Sequence, residues 1–293
     1  LQIESYSHPD PTILAQVRSL EYICQTNDQL KGRLFLDSSL NFSREMPCLL
    51  AMVEEGVLIG AMTLFAPSRE EVELVGLTHP DFRRRGVFRS LLSTAAELAK
   101  SFGIPELLFV CEPQSQEGIA ALTSFGVELD HVEYSLRYDR DFALASLAVP
   151  EGLVLERATE AELNDMSLIS ADSFSEEAEH AQRFLELAIH SDTRTQFLAR
   201  LNGEPVAIGA IGVEDGEATI YGLGVLPRLQ GKGIGRGVIA LLLREIFARG
   251  MEDILIEVDN TNATALHLYL TCGFLTEATF GYFRAPVSQF LAK

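Results

Sequence analysis

Three landmarks recur at one offset in this 293-residue chain: Pro80 and Pro227, Gly86 and Gly233, and Gly126 and Gly273 are each separated by 147 residues. Each proline ends an apolar run. Gly86 and Gly233 open helix-like stretches, and Gly126 and Gly273 follow apolar ones. A constant offset near half the chain length predicts a duplicated domain, and a chain of this length accommodates two domains.

The local patterning supports the duplication. In the second half, Leu153–Arg157 reads as a strand, and Glu160–Ala171 and Glu177–His190 as helices with acids early in each. Gln196–Leu201 and Pro205–Gly212 form a hairpin over Asn202-Gly203. Glu217–Leu226 is a strand, Gly233–Arg249 a helix closed by Gly250, Asp253–Val258 a strand, Asn262–Thr271 a helix and Phe274–Phe283 a last strand. The first half repeats the order: strands at Leu49–Val53, Leu58–Phe65 and Glu71–Thr78, a helix over Gly86–Phe102, a strand at Leu107–Cys111, a helix over Ile119–Phe125 and a strand at Val132–Arg137. This alternation predicts an α/β (α+β) fold, each repeat a mixed central sheet flanked by helices. The expected boundaries are 1–140 for the first domain, 141–152 for a linker and 153–293 for the second.

Composition excludes some functions. A net charge of −19 repels nucleic acid and anionic lipid. No segment reaches the ~18 apolar residues of a membrane span, and Leu1–Tyr6 has no secretory character, so the expected location is cytoplasmic. Cys24, Cys48, Cys111 and Cys272 form no CxxC pair and read as buried free thiols; no metal site is expected.

The chemistry concentrates at Leu223-Gly224-Val225-Leu226-Pro227-Arg228-Leu229-Gln230-Gly231-Lys232-Gly233-Ile234-Gly235-Arg236. A strand ends there and a glycine-rich turn opens a helix. Glycines let backbone N–H groups approach a ligand, and the helix N-terminus adds donors and partial positive charge, which suits a pyrophosphate. Arg228, Lys232 and Arg236 add cations. A Walker loop is absent, and no register of the glycines satisfies the dinucleotide GxGxxG pattern.

These residues resemble the GNAT acyltransferase superfamily in its tandem, two-domain form. Gln230-Gly231-Lys232-Gly233-Ile234-Gly235 matches its Q/R-x-x-G-x-G/A cofactor motif. Asn262 through Phe274 matches N-x-x-A-x-x-L-Y-x-x-x-G-F at every fixed position. The resemblance implies acetyl-CoA, or another acyl-CoA, lying where strands Glu217–Leu226 and Asp253–Val258 splay apart. Leu223, Gly224, Val225 and the run Gln230 to Arg236 would bind it. The amide of Val225, or of Gly224, would bond the thioester oxygen, and Asn262 would steady the pantetheine arm.

The implied reaction is N-acetyl transfer to a primary amine of a small molecule or peptide. Tyr269 stands at the family's general-acid position and Glu217 is the expected base, with Tyr221 and Glu257 as weaker candidates; His267 falls on another helix face. The alternative is a non-catalytic acyl-CoA-binding regulatory module. Partners are thus acyl-CoA and a small amine, not nucleic acid or membrane, with the protein a monomer or homodimer. Glu176, Glu177 and Glu179 suit either a cationic acceptor or an ordinary helix start. The first half keeps Arg83-x-x-Gly86, but Phe88 replaces the small sixth residue and Leu122 the tyrosine. It reads as a degenerate copy, with Glu71 and Glu73 its only candidate bases.

Overall fold

The computed structural model describes residues 2–291. In chain order the elements are β1 (Gln2–Tyr6), α1 (Pro11–Asp28), β2 (Leu49–Glu54), β3 (Val57–Phe65), β4 (Glu71–Thr78), α2 (Val87–Ser101), β5 (Glu106–Cys111), α3 (Gln116–Phe125) and β6 (Glu128–Tyr138). There follow β7 (Leu153–Arg157), α4 (Leu163–Phe174), α5 (Ala178–Ile189), β8 (Arg194–Leu201), β9 (Glu204–Glu214), β10 (Glu217–Val225), α6 (Ile234–Ala248), β11 (Ile254–Asp259), α7 (Ala263–Thr271) and β12 (Phe274–Pro286). Local chemistry sets the punctuation. Asp10 caps α1 by accepting from the amides of Thr12 and Ile13, with Pro11 at the first helical position. Asn202-Gly203 turns the β8–β9 hairpin with φ of 52° and 89°, the double positive φ of a type I′ turn.

The chain packs as two compact units: residues up to 133 with those from 278 onward, and residues 134–277. The first unit runs β1–β2–β3–β4 antiparallel, then β4–β5 parallel. It is completed by the end of β12, where Gly281–Pro286 pair antiparallel with β5. The second unit runs β7–β8–β9–β10 antiparallel and β10–β11 parallel. It takes in the end of β6, whose Leu136 and Tyr138 are buried in its core beside Phe247 and Phe274. Each unit therefore includes strand residues from the other repeat, so the packing boundaries differ from the expected 140 and 153. The segment 141–152 is not a loose linker. Phe142 packs on Gly273 and Pro150 on Gly237, and Leu147 is buried.

In the second unit α6 covers one face of the sheet, packing Ile234, Val238 and Leu242 on Ala218, Ile220, Ile254 and Ile256. Met166 and Ile169 of α4 and Leu185 of α5 cover the other, against Leu198 and Ile208. In the first unit α2 packs on Val72 and Leu74, and α1 on Leu49 and Ala61.

Candidate active site

Parallel pairing between β10 and β11 covers only Ala218↔Ile254, Thr219↔Leu255 and Ile220↔Ile256. Both strands continue, β10 to Val225 and β11 to Asp259, so they splay beyond Ile220. A bulge lies at the same point. The β9–β10 register shifts between Tyr221 and Gly224, and Gly222 takes a φ of 56°, the left-handed conformation a bulge demands. Past the bulge, Leu226 N–H donates to Val206 O at 3.1 Å, and Gly224 faces Ile208 in the same register. Alternate residues of an antiparallel strand bond the same neighbour. Gly224 therefore turns its N–H to β9, whereas Leu223 and Val225 turn theirs toward the splay. This removes Gly224 from the candidate thioester donors. What Gly224 supplies is the lack of a side chain: a Cβ there would lie 3.0 Å from Ser173 Oγ and 3.2 Å from the Phe174 ring.

The glycine loop follows directly. Gln230 Nε2 donates to Val225 O at 3.0 Å, pinning the loop to the strand end. Gly231 and Gly233 have φ of 72° and 82°, and a Cβ at either would meet nothing within 4 Å. Their glycine requirement is conformational, not steric. Gly233 opens α6 with no side-chain cap, leaving first-turn N–H groups of Ile234, Gly235 and Arg236 for a ligand. Lys232 and Arg236 are exposed beside them, and the Arg236 guanidinium reaches Thr271 Oγ1 at 3.4 Å. Asn262 is first of all a helix cap, its Oδ1 accepting from the Ala265 amide at 3.0 Å.

Tyr269 on α7 is 6 % exposed and lies in the α6-side core with Ile256, Val258 and Phe274. Burial pushes its phenol up to about 12. Its hydroxyl bonds no described residue and is not among the buried partnerless groups, so it keeps access to solvent. On the opposite sheet face, Tyr221 and Glu257 are the first residues beyond the last β10–β11 pair. Burial pushes the Tyr221 phenol up to about 12, reinforced by the charge of Glu257 and opposed by Arg194. The Arg194 guanidinium stacks 3.9 Å from the Tyr221 ring centroid.

Glu217 does not belong to this group. It begins β10, roughly 13 Å back along the strand from Tyr221 at about 3.3 Å per residue. Its carboxylate accepts from Arg137 Nη2 at 2.9 Å, and Arg137 also binds Glu277 at 2.8 Å. The residue expected as base is thus held in an ion pair with Arg137, while Tyr221 and Glu257 flank the splay. Two of the three acids at the α4–α5 turn are also engaged. Glu176 accepts from Ser170 Oγ at 2.7 Å, Glu179 pairs with Arg183, and Glu177 is the residue preceding α5.

The first unit keeps the frame without the chemistry. Arg83 Nε donates to Thr78 O at 3.2 Å, matching the Gln230 clamp. Arg84 and Gly86 adopt φ of 62° and 85°, matching Gly231 and Gly233. But β4 runs in unbroken register with β3, so there is no bulge. Phe88 lies on Gly76, where a Cβ would come within 2.6 Å of its ring, and stacks on Phe125. Leu122 stands for the tyrosine and Val110 for Glu257. Glu71 is bonded to Arg284, as Glu217 is to Arg137.

The comparisons with known proteins agree with this geometry. The Acetyltransferase (GNAT) family matches the chain twice, over residues 14–126 and 162–274. The chain is 30% identical over 216 residues to a mycothiol acetyltransferase of Clavibacter michiganensis, covering 70% of this chain and 68% of that protein. Among solved structures it resembles a GCN5-related N-acetyltransferase from Sphaerobacter thermophilus, with a TM-score of 0.76, 15% identity, and coverage of 98% of this chain and 95% of that one. It also resembles a tandem GNAT protein from the clavulanic acid biosynthesis pathway, with a TM-score of 0.70, 15% identity, and coverage of 98% and 99%. With two family matches in order, each spanning one parallel strand pair, this chain belongs to the GNAT acetyltransferase family.

Proposed function

We propose that the chain transfers the acetyl group of acetyl-CoA to a primary amine of a small molecule or peptide, at the splay of β10 and β11. The observation that carries the reading is the bulged splay itself. It turns two backbone N–H groups, of Leu223 and Val225, into a cleft that ends at the glycine loop. The loop amides from Gly231 to Gly235 hold the pyrophosphate, since the Gln230 amide donates to Pro227 O; Val225 and Asn262 hold the pantetheine arm, and Leu223 N–H the thioester oxygen.

The amine nitrogen attacks the carbonyl carbon, a C–N bond forms, and negative charge gathers on the oxygen facing Leu223 N–H. Glu257, directly or through water, takes the proton the amine must lose; Tyr221 fixes its surroundings. The C–S bond then breaks. Tyr269 is the general acid for the departing thiolate. With its phenol near 12 and a free thiol near 8.5, full transfer even to the departed thiolate is uphill by about 3.5 units, roughly 5 kcal/mol. Tyr269 therefore works by hydrogen bonding to the sulfur as charge develops, and the net proton passes from amine to thiol.

Free-thiol release over a panel of amines tests the proposal. Turnover with at least one amine is expected, and Tyr269→Phe lowers kcat about a hundredfold while leaving the acetyl-CoA Kd within twofold. A regulatory module would bind acetyl-CoA and release no thiol with any amine. Relatives named mycothiol acetyltransferase make a thiol-bearing amine a natural member of the panel, read there by acetyl-CoA consumption.

A further inference from the structure

The face of the second unit's sheet opposite α6 carries polar groups that neither the fold nor the proposed chemistry uses. Gln196 is 7 % exposed, yet its side-chain amide bonds no described residue; only its backbone carbonyl is engaged, by the Ala158 amide. It shares a face with Leu198, two residues on, which packs under α4 and α5. Register places it in a row. Gln196 pairs with Ala210, Ala210 with Tyr221, and Tyr221 stands beside Glu257 at the splay, with neighbouring strands about 4.8 Å apart.

Ser173, at the end of α4, supplies a second such group. Its Oγ is buried without a partner and lies against Gly224, on the same face and beside the same cleft. The residues between are small. At Gly212 and Gly224 the missing side chains let the Tyr221 ring and the Ser173 and Phe174 side chains lie close on the sheet beside the splay. The buried Ser173 Oγ is destabilising unless a ligand or water satisfies it, whereas the Gln196 amide makes no bond within the fold and keeps access to solvent, which leaves it free to meet a ligand.

We propose that this face is the acceptor subsite and that Gln196 and Ser173 determine its specificity. They hydrogen-bond oxygen groups on carbons next to the reacting amine. The acceptor is then a polar amine flanked by hydroxyl or carbonyl groups, such as an amino alcohol, amino sugar or aminoacyl amide, and not an alkyl amine or polyamine. This rests on acetyl transfer at the second splay.

The test uses a matched pair of acceptors on the full chain: 2-amino-1,3-propanediol, and isopropylamine, which lacks its two hydroxyls. Their different basicities cancel when each variant is compared with the parent on the same amine. Gln196→Leu and Ser173→Ala are each expected to lower kcat/KM for the diol about tenfold or more. Isopropylamine should stay within twofold, and so should the acetyl-CoA Kd. Gln196→Leu should also leave Tm unchanged or raised, since it replaces an unbonded amide by an apolar group; a structural role would lower Tm. Equal losses on both amines, or no loss on either, overturn the subsite while acetyl transfer stands. No thiol release from the parent protein with any amine overturns the acetyl-transfer reading, and the subsite with it.

Discussion

Side-chain chemistry around the splay separates two glutamates that look alike in sequence. Glu217 and Glu257 both lie on strands bordering the cleft, but Glu217 is bound by Arg137 at the far end of β10 and Glu257 stands at the point of divergence. Glu257→Gln is therefore expected to reduce kcat/KM by about a hundredfold or more at neutral pH. Glu217→Gln should leave it within about threefold and lower stability instead. Initial rates of thiol release with a saturating amine distinguish them, and the reverse pattern would restore Glu217 as the base. The two tyrosines differ as sharply. Both phenols are pushed up to about 12 by burial, so neither loses its proton in the range where the enzyme is assayed. A falling limb of the pH–rate profile below pH 10 has to come from another group.

At the scale of elements, the proposed reading has the loop between β10 and α6 bind acetyl-CoA through its backbone. The first unit provides a natural control, because Arg84 holds a φ of 62° where Gly231 stands in the second. A side chain is thus tolerated at that point, but Gly86 and Gly233 are glycine in both. Gly231→Ala should leave the acetyl-CoA Kd within about threefold. Gly233→Val, a β-branched residue at a φ of 82°, carries about 1–2 kcal/mol of backbone strain and should weaken binding tenfold or more. Titration calorimetry reads both; equal effects would refute the conformational account.

Much of this scale was legible in the sequence. The helix and strand order, the hairpin at Asn202-Gly203 and the glycine loop follow from periodicity and turn chemistry, which are local. The bulge at Gly222 was not legible, since it depends on register against β9. Nor were β1 and α1, whose halves of the hydrophobic pattern are weak. The strand residues each unit takes from the other repeat depend on long-range pairing that no local signal encodes. Gln196 left a trace: it is the lone amide beside the apolar run Phe197-Leu198-Ala199. Its burial and lack of a partner emerge only from packing.

Across the whole molecule, duplication preserved the frame, and the first copy lacks the bulge, the tyrosine and the glutamate of the second. Even the ion pairs recur, Arg137 and Arg284 and likewise Glu277 and Asp130 at the 147-residue offset, Glu217 and Glu71 one residue short of it. Arg137 holds Glu217 and Glu277 in the second unit, and Arg284 holds Glu71 and Asp130 in the first. Arg284 and His131 keep the Asp130 carboxyl down at about 2. That is below the ordinary aspartate value of about 3.9, so the interaction adds stability in full above about pH 4 and loses it as pH falls toward 2. Asp130 is partly exposed, which limits the contribution to under about 1 kcal/mol. Asp130→Asn should lower stability by that much at pH 7, with the difference vanishing near pH 2. A difference that grows on acidification would contradict the assignment.

What the two units do with a ligand decides the account. The first keeps the loop but lacks the bulge, carries Phe88 on Gly76, and has neither the tyrosine nor the glutamate. A crystal structure of the full chain with acetyl-CoA should show one molecule per chain. Its pyrophosphate should lie against the amides of Gly231–Gly235 and its thioester oxygen at Leu223 N–H, with no occupancy between β4 and β5. Acetyl-CoA bound between β4 and β5 instead, or a thioester remote from Leu223 and Glu257, would contradict the central claim.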